Sequence, residues 1–175
     1  MALELGPCQV LFGTAGSETD LGKTQGGVTV SFNTSVADLL SDQFGTAPED
    51  QAITGQGATV TVPLAEYSVE NLAIALNQTA LDYGGDKGIK GSLLTGTFLK
   101  SAKAQSLLIK KYVNGVPSTD EDDWIRFPSA APTGTFDIPY DAATQRVIEV
   151  TFTAYPDSND VLYYIGDETA AESGS

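Results

Sequence analysis

The sequence predicts a mainly β protein: an antiparallel β-sandwich or barrel with one flanking α-helix and long protruding loops. Three observations predict it. Apolar and polar residues alternate with a period of two in segment after segment, a single segment has helical spacing, and 18 glycines and 8 prolines punctuate the chain. A period of two places one face of a strand in a core, whereas a helix repeats every 3.6 residues. With 175 residues and 41% apolar content, the chain suits one domain with a real core. That β domain is expected over residues 1–166, with 167–175, "DETAAESGS", a flexible acidic tail.

The elements follow in order. "CQVLFG" (8–13) reads as a strand, and the glycine-rich "GTAGSETDLGKTQGG" (13–27) as a protruding loop between it and an antiparallel partner. That partner, "GGVTVSFN" (26–33), alternates Val28, Val30 and Phe32 with Thr29, Ser31 and Asn33. "VADLLSDQ" (36–43) is a shorter strand candidate, and "FGTAPEDQAITGQG" (44–57) an irregular piece. Loops that long are uncommon in a compact domain unless they work at something. Its Phe44, Pro48 and Ile53 suggest an arm that touches a partner. "GATVTVPLAE" (57–66) alternates Val60, Val62 and Leu64, and Pro63, lacking an N–H, belongs at an edge or a strand end.

"YSVENLAIALNQT" (67–79) is the helix, expected over about 68–77. Ser68 is its N-cap, Glu70 meets the positive end of the dipole, and Leu72 and Leu76 share a face. Gly84-Gly85 stop it, inside a second irregular piece, "NQTALDYGGDKG" (77–88). Further strand candidates are "KGSLLTGTFL" (90–99), "AQSLLIKKYV" (104–113), "DDWIRFP" (122–128) and "DVLYYIG" (160–166). In "QRVIEVTFTAY" (145–155), Ile148, Val150, Phe152 and Ala154 share one side. That makes eight or nine strands.

Composition narrows the function. No apolar run approaches a membrane span, and the N-terminus lacks the pattern of a secretory signal, so synthesis in the cytosol is expected. The single cysteine, Cys8, excludes an intramolecular disulfide framework, and the absence of histidine removes the commonest general base and metal ligand. Cofactors are not expected. The net charge of −14 argues against gripping nucleic acid and suits either solubility or a surface that repels an anion.

The charge is uneven. Residues 87–111 hold six lysines (Lys87, Lys90, Lys100, Lys103, Lys110, Lys111) and no acid, while the stretches on either side each carry a net −10. This segment pairs either within the fold or with acidic surfaces of neighbouring copies.

Gly22-Lys23-Thr24 looks like the end of a phosphate-binding loop. The motif fails, because Ser17 stands where its first glycine belongs and Glu18 and Asp20 would occupy the phosphate cradle. A strand, moreover, follows where the motif needs a helix. "DEDDW" (120–124) lacks calcium-loop spacing and reads as a solvated acidic turn. Asp137 and Asp141 form no recognisable dyad, and Trp124, Ile125 and Phe127 read as strand core. There is no catalytic constellation, so an enzyme is not expected.

Three motifs in a fixed order carry a resemblance: "TDLGKTQGGV" feeding a strand, "SDQFGTAPED", and "TGQGATVTVPLAEYSVENL" running from strand into helix. Over residues 8–80 the chain resembles the tail tube (major tail) proteins of tailed bacteriophages, whose fold is shared by the tube proteins of contractile injection and type VI secretion systems. The resemblance implies a homo-hexameric ring in the virion tail, assembled in the host cytoplasm. Sheets of all subunits would close one inner barrel, and rings would stack into a tube through which DNA passes without specific binding. It implies an arm over about 36–57 reaching the neighbouring ring, and sheath, tape-measure and tail terminator or baseplate proteins as further partners.

Contact residues expected on that basis are Asp20, Leu21 and Lys23 in the turn, and Asp42, Gln43, Phe44, Pro48, Glu49 and Asp50 in the arm. Lys110 and Lys111 are expected from the basic segment. The alternatives are a contractile-injection or type VI tube protein and a carbohydrate-binding β-sandwich. The latter wants an exposed row of aromatics, and the tyrosines here are scattered.

Overall fold

Alternation becomes pairing in the computed structural model, which describes residues 6–40, 48–66, 68–135, 137, 138, 140, 143 and 145–172. The first strands are β1 (Cys8–Gly13), β2 (Thr19–Asp20), β3 (Thr29–Leu40) and β4 (Pro48–Leu64). Next come β5 (Ala80–Tyr83), β6 (Asp86–Ile89), β7 (Gln105–Val113) and β8 (Val116–Pro117). The last are β9 (Trp124–Thr133), β10 (Ile148–Ala154) and β11 (Tyr164–Ile165). Short helices are α1 (Val69–Ala75), α2 (Leu99–Ala102) and α3 (Glu168–Glu172). The fold is mainly antiparallel β, as expected.

One nine-stranded sheet runs in the order β2-β1-β7-β9-β10-β4-β3, with β8 added to β7 and β11 to β9. Among the described residues β5 and β6 pair only with each other. Along β10 the residues Ile148, Val150, Phe152 and Ala154 are buried, as their spacing predicts, and they sit opposite the buried half of β4 (Val62↔Val150, Val60↔Phe152). The rings of Phe12 on β1 and Phe152 on β10 lie 5.0 Å apart, although two strands separate them in the sheet order. The sheet therefore curls over a core that also holds Val10, Leu107 and Phe127. Burying each such side chain contributes roughly 1.5–3 kcal/mol.

Residues 21–25 close the curl. The Leu21 N–H donates to the Val10 carbonyl at 2.9 Å, Gln25 N–H to the Pro63 carbonyl at 3.0 Å, and Ala65 N–H to the Lys23 carbonyl at 2.8 Å. The connection after β1 thus does not protrude between β1 and an antiparallel β3. β1 pairs with β2 and β7 instead, because the chain turns back at residues 14–18 and spends its apolar Leu21 on the core. Pro63 lies one residue from the end of β4, where its missing N–H is tolerated.

Several other elements differ from expectation. "GGVTVSFN" and "VADLLSDQ" merge into β3, and the described part of the 44–57 piece, from Pro48, is strand β4 paired with it. The 77–88 piece is the β5–β6 hairpin, whose two-residue Gly84-Gly85 turn has φ of +65° and +92°, the conformation that suits tight hairpins. Residues 90–98 form no strand, since no sheet edge meets them, and Leu93 and Phe98 face solvent. Of "DVLYYIG" only Tyr164–Ile165 pairs. The start of the acidic tail is the helix α3, held by Arg126 Nη1 donating to Glu168 Oε2 at 2.8 Å. Asp167 caps it by accepting from the Thr169 N–H at 2.8 Å.

Helix α1 begins as predicted: Ser68 Oγ accepts from the Asn71 N–H at 3.0 Å. Its buried side chains are Asn71 and Ala73, while Leu76 is exposed. The Asn71 amide donates to the Leu21 carbonyl at 2.7 Å and docks the helix on the closing segment. Leu72 packs half-buried against the core, as its spacing predicts, and Asn71 adds the donor that a buried carbonyl needs.

Candidate assembly surfaces

β3 is an edge strand, and its hairpin with β4 outruns the core. Pairing continues from Phe32↔Ala58 to Leu40↔Pro48, so the two strands extend together about 26 Å beyond the packed sheet at ~3.3 Å per residue. Every described residue from Ser31 to Leu40 and from Pro48 to Gln56 is exposed. A bulge at Thr54 shifts the register between Ser35↔Gly55 and Val36↔Ile53, placing Val36 opposite Ile53. Along β3 the alternation puts Phe32, Val36 and Leu40 on one face. At the base Phe32 is covered on one side by Tyr163, with ring centroids 4.7 Å apart. Further out Ile53 and Leu40 are 65% and 64% exposed.

An isolated two-stranded hairpin is marginal in water, and a long free edge with apolar side chains is an invitation to pair. This hairpin has both properties.

The expected contact residues separate into groups. Pro48, Glu49 and Asp50 lie exposed on the arm, whereas Asp42, Gln43 and Phe44 are outside the described residues. Asp20 is exposed, but one of its carboxylate oxygens serves its own turn and the other the neighbouring strand β1. Oδ1 accepts from the Gly22 N–H at 2.8 Å and Oδ2 from Gln9 Nε2 at 2.6 Å. Gly22 itself sits at φ +86°, beside the Glu66 carboxylate that a Cβ would strike. Lys23 is exposed while its carbonyl holds Ala65. Leu21, at 1% exposure, faces the subunit's own core, so its side chain is not available to a neighbour.

The basic segment also divides. Lys111 Nζ donates to Asp123 Oδ1 at 2.9 Å, and Lys110 Nζ lies 3.9 Å from the centre of the Trp124 ring. Lys87 is paired with Glu70. These pairs leave their mark on titration. Hydrogen bonds from Lys111 and Ser118 hold the Asp123 carboxyl below its ordinary range, and Lys87 does the same to Glu70. Lys90, Lys100 and Lys103 have no ion pair among the described residues. Sequence reasoning pointed to Lys110 and Lys111 and missed the lysines that remain unpaired. It also missed the tight β7–β8 hairpin, although Asn114-Gly115 (φ +53° and +82°) is a strong signal for one.

No protein-family model matches this sequence, and no curated protein matches it. Among solved structures, the chain is similar to one in the tail of an empty gene transfer agent particle, determined by helical refinement with C6 symmetry. The TM-score is 0.53 at 9% identity, over 91% of this chain and 95% of that one. That likeness is one of fold. A chain in the virion of a native gene transfer agent particle aligns over 85% of this chain and 92% of its own, with a TM-score of 0.46 at 10% identity.

Proposed function

We propose that this chain is a structural subunit of a bacteriophage-like tail, and more specifically a tube subunit that forms hexameric rings stacked into a hollow conduit. One observation carries the reading. The β3–β4 arm leaves the core with a free edge and exposed apolar side chains, on a fold like that of a chain in a C6-symmetric tail. Self-association covers such an edge, and head-to-tail contacts between unlike patches generate rings and stacks.

The arm would lie against a neighbouring ring, with Pro48, Glu49 and Asp50 among its contacts and the Lys23 turn at a second interface. A net charge of −14 per copy suits a wall along which DNA slides without sticking. The role is structural and needs no chemistry from the chain. Its partners beyond its own copies would be tail proteins such as sheath, tape measure, terminator or baseplate, and its place the virion.

Negative-stain microscopy and sedimentation velocity on the purified protein at rising concentration test the reading. Rings or tubes with a central hole are expected. A monomer at every concentration and salt condition would overturn it.

A further inference from the structure

β7 and β9 lie side by side, and their two ends differ in charge. At one end, where β7 begins and β9 finishes, Lys103 and Pro132 line the same groove as Gln78. The Gln78 amide binds the Ser92 backbone in both directions, at 3.0 and 3.2 Å, and so ties the 90–103 segment to this end. That segment carries Lys90, Lys100 and Lys103, none ion-paired among the described residues, around Leu93 and Phe98, which are 92% and 81% exposed.

At the other end, about 26 Å away along β9 at ~3.3 Å per residue, the turn before Trp124 presents Asp120, Glu121 and Asp122. The cations nearest this turn are committed elsewhere: Lys111 to Asp123, Lys110 to the Trp124 ring, Arg126 to Glu168. Beside the turn the β7–β8 hairpin exposes Val113 and Val116. The 90–103 segment therefore combines an apolar patch with positive charge, beside a Glu18 that accepts from Ser106 and a Glu70 neutralised by Lys87, and the 113–122 end combines an apolar patch with negative charge.

We infer that the 90–103 segment is the docking surface for the 113–122 end of a second copy of this chain, seated head-to-tail. Leu93 and Phe98 would cover Val113 and Val116 while the three free lysines meet the acidic turn. The inference deepens the tube reading and rests on it, since barrel strands end at the rims of a ring and this contact would join one ring to the next. Apart from the half-buried Lys103 the charges are exposed, so salt screens them, with a Debye length of about 8 Å at 0.15 M.

The test reverses each end separately in the full chain. One variant carries Lys90→Glu and Lys100→Glu, the other Glu121→Lys and Asp122→Lys, and all four positions are exposed. Like charges facing each other oppose docking, so each variant alone should need about a tenfold higher concentration to assemble. In a 1:1 mixture every facing pair of ends can again be opposite in charge, and assembly should return to within about threefold of the unaltered protein. A misfolded variant could not give that restoration. Variants that assemble like the unaltered protein, or a mixture as impaired as its components, would overturn this contact and leave the tube reading standing. Failure of the unaltered protein to associate at all would overturn both.

Discussion

The two halves of β4 belong to one strand and one hairpin, yet they live in different solvents. From Ala58 to Leu64 the even-numbered side chains are buried between β3 and β10, whereas from Pro48 to Gln56 every side chain is exposed. The inner half has β10 beside Thr59–Leu64 and β3 on its other side up to Thr61, whereas among the described residues the outer half has β3 alone. The same backbone pairing is thus backed by a core in one place and by nothing among the described residues in the other. The inner half belongs to the core of the chain, and the outer half is the surface that the proposed assembly would cover.

Substitutions on the two sides of this divide should behave oppositely. Phe152→Ala removes the ring that meets Phe12 across the core, and should cost about 3–5 kcal/mol in urea unfolding followed by Trp124 fluorescence. Asn71→Ala strands the buried Leu21 carbonyl and should cost about 1–3 kcal/mol by the same measurement. Ser68→Ala, which removes the α1 cap, should cost about 1 kcal/mol.

Smaller still is the contribution of Asp123. Its carboxyl is depressed in the folded state by Lys111 and Ser118, so the stability it confers is present above the ordinary carboxylate range. It is lost as pH falls through the folded value. The melting temperatures of the unaltered protein and Asp123→Asn should therefore differ at neutral pH and converge in acid.

At the far end of the scale, Val36→Ser with Ile53→Ser on the arm should change subunit stability by less than about 0.5 kcal/mol. The same pair of changes should abolish rings and tubes in negative-stain images. A large loss of stability there, or unaltered assembly, would erase the distinction between the two halves.

Much of this was legible beforehand because it is local. The buried face of β10, the strand-end position of Pro63 and the Ser68 cap all follow from spacing and backbone chemistry within a few residues. The arm was partly legible. Ile53 and Pro48 marked its region as more apolar than a solvated loop, but its polar residues and Gly55 and Gly57 concealed that it is strand. The Gly84-Gly85 hairpin was hidden by reading those glycines only as a helix stop.

What remained illegible is non-local. Leu21 resembles any exposed turn residue until the curl of the sheet brings it to Val10, and Lys111 resembles Lys100 until the turn at Asp123 reaches it. The sequence by itself determined the buried face of β10 and the start of α1, because periodicity and capping act over one or two turns of chain. Only the tertiary structure decided which lysines find an ion pair among the described residues and which half of β4 is backed by a core. Those outcomes depend on strand order, which brings together residues dozens of positions apart.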